Sequence, residues 1–249
     1  MNHPEKKIRF PHARRGFTLT ELLVVILIIV VIAALSLVGI GRVRDMAAKA
    51  GSTSNLKQLQ VANISYAADH NGKCVPVRAN DENGNATRWM DDIEYLAILT
   101  GIPEEEIGTK KSKVIPLSML DPKVVRARDY EYDRIFASYG MNDTGLKLGS
   151  DPNLNSAFNL NKVSDPARSM AFSTAIDFRV TYNSRLNWKL KGQVDNRKAP
   201  GSVGAMAYRH SNKALVVYFD GHVGELSQGD IKDIDKQGGK NNAFWNPQK

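Results

Sequence analysis

The chain has 249 residues, with 34 Lys and Arg against 26 Asp and Glu, a formal net charge of +8, and a single cysteine, Cys74. One cysteine excludes an internal disulfide framework, a CxxC redox pair and a cysteine-based zinc site. Half of the positive surplus sits at the start, where Lys6, Lys7, Arg9, Arg14 and Arg15 meet only Glu5; elsewhere the densest basic group is Lys110, Lys111 and Lys113, so no nucleic-acid groove is expected.

Residues 1–16 read as a basic leader that ends in Gly16. From Phe17 to Gly41 the only ionisable side chain is Glu21, and the stretch is long enough to cross a hydrocarbon core of about 30 Å at roughly 1.5 Å per helical residue. In a secretory signal the small-residue cleavage site follows the apolar run. Here the small residue precedes it, so a cut after Gly16 removes the leader and leaves the span attached. The basic leader belongs in the cytoplasm and the rest of the chain on the far side, with Arg42 and Arg44 opposing that bias but outnumbered. A carboxylate in the span costs roughly 2.5–3.5 kcal/mol on insertion scales, less near the interface, and calls for a partner. The amine freed on Phe17 is one: Glu21 of one copy paired with Phe17 of a neighbour would set the axial register between otherwise unspecific helices. The other reading is that Glu21 snorkels to the headgroups.

Beyond the span, residues 42–70 lack proline and carry apolar or small positions at helical spacing, which predicts one long helix from Phe17 to His70, apolar all round at 17–41 and amphipathic at 42–70. Gly39, Gly41 and Gly51 are places for a bend, and Asn71-Gly72 signals the turn that ends the helix. Residues 71–134 are rich in turn formers, with short helices expected at Trp89–Leu99 and Pro103–Ile107. Strands are expected at Ile135–Met141, Ser169–Ile176, Val203–Arg209, Lys213–Phe219 and His222–Leu226, with Asp220-Gly221 as a hairpin turn, giving a small antiparallel sheet over 135–227. Residues 228–249 read as a polar, Gly-rich tail whose aromatic pair is Phe244-Trp245. The fold class is α+β.

The run Gly16-Phe17-Thr18-Leu19-Thr20-Glu21-Leu22-Leu23-Val24-Val25-Ile26 closely resembles the N-terminal signature of type IV pilins and type II secretion pseudopilins. The resemblance implies cleavage after Gly16 by a prepilin peptidase, methylation of the Phe17 amine, and a requirement for Glu21 in assembly. It further implies a pilin-like fold, with a long helix packed on a small sheet and a variable segment between them. The implied partners are sibling pilins in a homo- or hetero-oligomeric filament, an assembly ATPase with its membrane platform, and the cytoplasmic membrane itself. A secretion pseudopilus and a surface pilus share this motif; the lack of a C-terminal cysteine pair leans to the pseudopilus.

A second resemblance lies near the other end. His210 is separated by nine residues from Asp220-Gly221, like the H-x9-D-G signature of one large group of pilin-like proteins, and Ser138-Tyr139-Gly140-Met141-Asn142 and Asp165-Pro166-Ala167-Arg168-Ser169 look like recurring phrases of that group. Two readings of this signature are open. In one, Asp220-Gly221 is simply the turn and His210 bonds to backbone at the start of the strand. In the other, His210, Asp220, His222 and Asp177 converge to hold a divalent ion or polarise a substrate. An extended strand between them places His210 and Asp220 roughly 25 Å apart, which favours the first. The chain has no G-x-S-x-G, H-E-x-x-H or phosphate-binding glycine loop, so no catalytic residue, metal or cofactor is expected. The alternatives are a membrane-anchored enzyme that borrows the pilin anchor, or a ligand-binding minor pilin presenting Trp89, Tyr95, Tyr130 and Tyr132.

Overall fold

The computed structural model describes residues 16–80, 86–108, 115–126, 138–147, 156–188 and 203–249. The chain divides into an N-terminal unit that ends at Arg44 and a C-terminal unit from Asp45 to Lys249. Helix α1 runs unbroken from Leu19 to Asp69, through Gly39, Gly41 and Gly51. In the N-terminal unit its side chains from Leu19 to Leu35 are exposed all round, and from Leu22 to Leu35 all of them are apolar.

In the C-terminal unit the same helix has two faces. Ala48, Ser52, Asn55, Leu56, Leu59, Asn63 and Tyr66 are buried at three- and four-residue spacing, whereas Ser54, Lys57, Gln58, Val61 and Ser65 are exposed. The helix stops where Asn71 and Gly72 turn left-handed, with φ of 53° and 80°, and the Gly72 amide donates to the Ala67 carbonyl at 2.8 Å.

After α1 come a hairpin of β1 (Arg78–Asn80) and β2 (Ala86–Arg88), then α2 (Ile93–Thr100), α3 (Glu104–Ile107) and α4 (Pro122–Arg126). The helix expected at Trp89–Leu99 is split: Asp92 sits in extended backbone and its carboxylate caps α2 by accepting the Tyr95 amide at 2.9 Å. The main sheet has the order β5-β3-β4-β6-β7, formed by β3 (Tyr139–Asn142), β4 (Met170–Thr174), β5 (Arg179–Val180), β6 (Lys213–Tyr218) and β7 (Val223–Ser227). All its pairings are antiparallel except β3 with β5. The period of two sorts β6 between two cores: Leu215 and Val217 join Leu56, Leu59, Trp89 and Phe172, while Ala214 and Val216 join Met170, Tyr208, Phe244 and Trp245.

Three expectations are corrected. Val203–Arg209 is not a strand: Gly204 turns left-handed (φ 78°) against the Thr181 side chain, and the segment crosses the end of β4 with a single bridge, Met206 to Ala175. Its apolar residues are buried for packing rather than for pairing. The short strand β5 was not expected; it fits beside β3 because a Cβ on Gly140 would lie 2.7 Å from the Asp177 carbonyl oxygen. The tail at 228–249 is folded. Helix α5 (Gln228–Lys236) starts with a reciprocal Ser227/Asp230 capping box, and Trp245 is buried with its indole N–H on Asp235 at 2.9 Å. Residues 135–137, where the first strand is expected to begin, and the leader residues 1–15 lie outside the described residues.

Asp143 follows β3 and receives Arg179 at 3.3 Å and the Thr181 hydroxyl at 3.0 Å. Burial nevertheless pushes its carboxyl up to about 6, overcoming the downward pull of Arg179 and Thr181. Its ionised form therefore costs stability above about pH 6, and the cost fades as pH falls toward the unfolded carboxyl value near 4. Asp143→Asn should raise stability by about 1–3 kcal/mol near pH 7.5 and change it little near pH 4, measured by urea unfolding followed through tryptophan fluorescence.

Candidate functional site

Gly16, Phe17 and Thr18 precede the helix in non-helical backbone, and all three are exposed, Phe17 by 77%. The Gly16–Phe17 peptide bond therefore lies in accessible, non-helical chain, and a Cβ on Gly16 would meet nothing within 4 Å. Thr18 is the cap of α1. Its hydroxyl oxygen accepts the Glu21 amide at 3.3 Å, while one Glu21 carboxylate oxygen accepts the Thr18 amide at 2.9 Å and the Thr18 hydroxyl at 2.8 Å. This is a capping box, and Thr18-x-x-Glu21 ahead of an apolar run is its sequence signature. Glu21 thus has a partner within its own chain: both bonds fall on Oε2, and among the described residues Oε1 is left for a further donor.

The C-terminal signature resolves into two separate places. Asp220 and Gly221 make the loop between β6 and β7: Gly221 is left-handed (φ 91°), its amide donates to the Tyr218 carbonyl, and Asp220 accepts the His222 amide at 3.1 Å and faces its Nδ1 at 2.6 Å. His222 also stacks on Tyr218 at 4.1 Å. The same loop is tied to Asp165–Ser169, since the Phe219 amide donates to Ser169 and the Asp220 amide to Pro166.

His210 stands at the opposite end of β6. It exchanges backbone hydrogen bonds with Lys213 across Ser211 and Asn212, both left-handed (φ 53° and 62°), so a second tight turn opens the strand. The nine-residue spacing is therefore one turn, one strand and the start of the next turn. The His210 side chain is buried, with Nε2 3.3 Å from Asp121 Oδ2. Asp121 is buried too; burial alone would raise its carboxyl, but His210, the Arg209 guanidinium at 3.5 Å and the Lys123 amide hold it below the ordinary carboxylate range. The Asp121 amide in turn donates to Ser138 Oγ at 3.1 Å, and Asn55 of α1 donates to the carbonyls of Ser118 and Leu120 and to the Tyr139 hydroxyl. The phrase 138–142 is thus tied through Asp121 to His210.

The reading in which His210 bonds only to backbone is half right: its main chain does so, but its ring serves Asp121. The convergent reading fails on geometry. His210 faces Asp121, Asp220 faces His222, and Asp177 accepts the Phe178 amide at 2.9 Å. Among the described residues no group of three or more His, Cys, Asp or Glu side chains lies within reach of one metal ion. Trp89 and Tyr95 are buried, the indole N–H on the Phe178 carbonyl and the phenol on the Leu59 carbonyl, so neither forms an exposed aromatic patch; Tyr130 and Tyr132 lie outside the described residues.

The prokaryotic N-terminal methylation motif matches residues 11–37, the stretch that holds the Gly16–Phe17 bond, the Thr18/Glu21 cap and the first part of the apolar helix. That motif is the one carried by type IV pilin-like substrates of prepilin peptidase, and here it opens a helix long and apolar enough to cross a membrane. No curated protein and no solved structure matches the chain.

Removing one partner of a buried pair is costly, whereas an exposed turn tolerates change. His210→Ala should lower unfolding stability by about 2–4 kcal/mol, and Asp220→Asn or His222→Ala by about 0.5–1 kcal/mol, measured by urea titration of the full chain in detergent. A shared ligand site would instead give three similar losses in the presence of the ion.

Proposed function

We propose that this chain is a structural subunit of a type IV pilus-like filament, and more narrowly of a type II secretion pseudopilus. The observation that carries the reading is a lone carboxylate, Glu21, in the first turn of an exposed apolar helix and the fifth residue after the Gly16–Phe17 bond, within a matched methylation motif. The leader stays in the cytoplasm, the span holds the chain in the cytoplasmic membrane, and the C-terminal unit lies outside. A prepilin peptidase then exposes the Phe17 amine. The assembly platform and its ATPase lift the helix into a bundle of sibling subunits. Head-to-tail contacts whose rotation does not close give an open fibre, and an apolar helix supplies its core.

The capping box refines this account. Thr18 satisfies Glu21 while the subunit waits in the membrane, which offsets part of the insertion cost, and the second carboxylate oxygen can meet a neighbour's Phe17 amine without breaking the cap. The narrower choice of a pseudopilus leans on Cys74 being the sole cysteine, with no disulfide to brace a shear-resistant surface fibre. The proposal gives the chain no catalytic chemistry.

Glu21→Ala should leave processing and membrane insertion intact and reduce recovery in the sheared filament fraction by about tenfold or more, scored by immunoblot of sheared and cell fractions. Recovery equal to the parent would sink the reading. Gly16→Leu should retain the leader, read as intact mass: the chain would still begin at Met1 where the parent begins at Phe17.

A further inference from the structure

The face of α1 turned away from the sheet is not apolar throughout, and its pattern is informative. Lys57, Gln58, Val61 and Ser65 of α1, with Ile98 and Leu99 of α2, line a groove of about 330 Å³. Val61 is 61% exposed there, beside the partly exposed Ile98 and Leu99. Lys57 makes no ion pair among the described residues, unlike Lys49, which pairs with Glu225, and Lys123, which pairs with Asp45 at 2.7 Å.

A complementary surface lies on the same unit. Helix α3 carries Glu104, Glu105 and Glu106, all exposed and none in an ion pair among the described residues. Glu104 also acts on its surroundings: the Asp92 carboxyl, raised first by burial, is pushed further up by it. The groove thus offers a lysine beside apolar side chains, and α3 offers three exposed carboxylates, none of them ion-paired among the described residues.

We propose that Glu104–Glu106 of one copy docks head to tail into the Lys57 groove of the next copy. The contact rests on the filament reading and is continuous with it, because the groove lies on the helix whose apolar half that reading buries. Opposite charge selects and orients the neighbour, and closure removes Val61, Ile98 and Leu99 from water. Burying one face on α1 and the other on α3 uses two different patches, which makes the interface open-ended.

The test traps the contact in cells that make filaments. Cys74 is buried and its thiol is pushed up to about 12, so it stays out of the reaction and introduced cysteines report alone. Full-length chains carrying Lys57→Cys and Glu105→Cys on separate copies should give an oxidised dimer only when produced together. Both changes on one chain should give a ladder of multimers, and the Glu21→Ala background should lose both products. In parallel, Lys57→Glu should cut filament yield about tenfold, and adding Glu105→Lys should bring it back to within about twofold. Glu21-dependent filaments that form without the cross-link overturn this contact and leave the filament reading standing. A product that stops at the dimer overturns the head-to-tail arrangement, and a parent chain that gives no filaments overturns both.

Discussion

One helix has to satisfy two solvents. From Leu22 to Leu35 the side chains of α1 are apolar on every side and exposed, while from Ala48 onward they bury one face against a sheet and keep the other wet. No break in hydrogen bonding separates the two regimes, although Gly39, Gly41 and Gly51 would permit one. The remaining architecture follows from the need to cover one face of that second half and leave the other open.

The cover is fastened by polar groups as much as by packing. Asn55 reaches across from α1 to the carbonyls of Ser118 and Leu120, and Gln60 donates to the Phe219 carbonyl at 2.9 Å. Asp121 then links the 115–126 segment to β3 through Ser138 and to the start of β6 through His210. Buried bonds of this kind add little net energy each, but leaving any one unmade is expensive, so they select a single arrangement of helix, loop and sheet. The aromatic layers can tolerate small shifts that these bonds cannot.

What was legible in the sequence follows the range of the forces involved. The helix from 17 to 70, the Asn71-Gly72 stop, and β4, β6 and β7 were readable because spacing, turn residues and branched side chains act locally. The segment 203–209 misled because apolar residues that pack under a sheet look like a strand, and only the left-handed Gly204 says otherwise. The two-residue β5 carries no periodicity at all; it exists because Gly140 leaves room. At the N-terminus Gly16, Phe17 and Glu21 were visible, and the Thr18 cap was equally written there, but the expectation of an intermolecular partner hid it. The partner of His210 could not have been read, since Asp121 is 89 residues away and nothing local announces it.

The spacing between His210 and Asp220 acts as a ruler whose unit is the pleat. Adding or deleting a single residue within β6 would exchange its inward and outward faces, sending Leu215 and Val217 to the side now held by Ala214 and Val216. One anchored end would have to release as well, either the ring on Asp121 or the loop on Pro166 and Ser169. Length variation in this unit is therefore confined to other loops, and the strand between the two turns can change its side chains far more freely than its count.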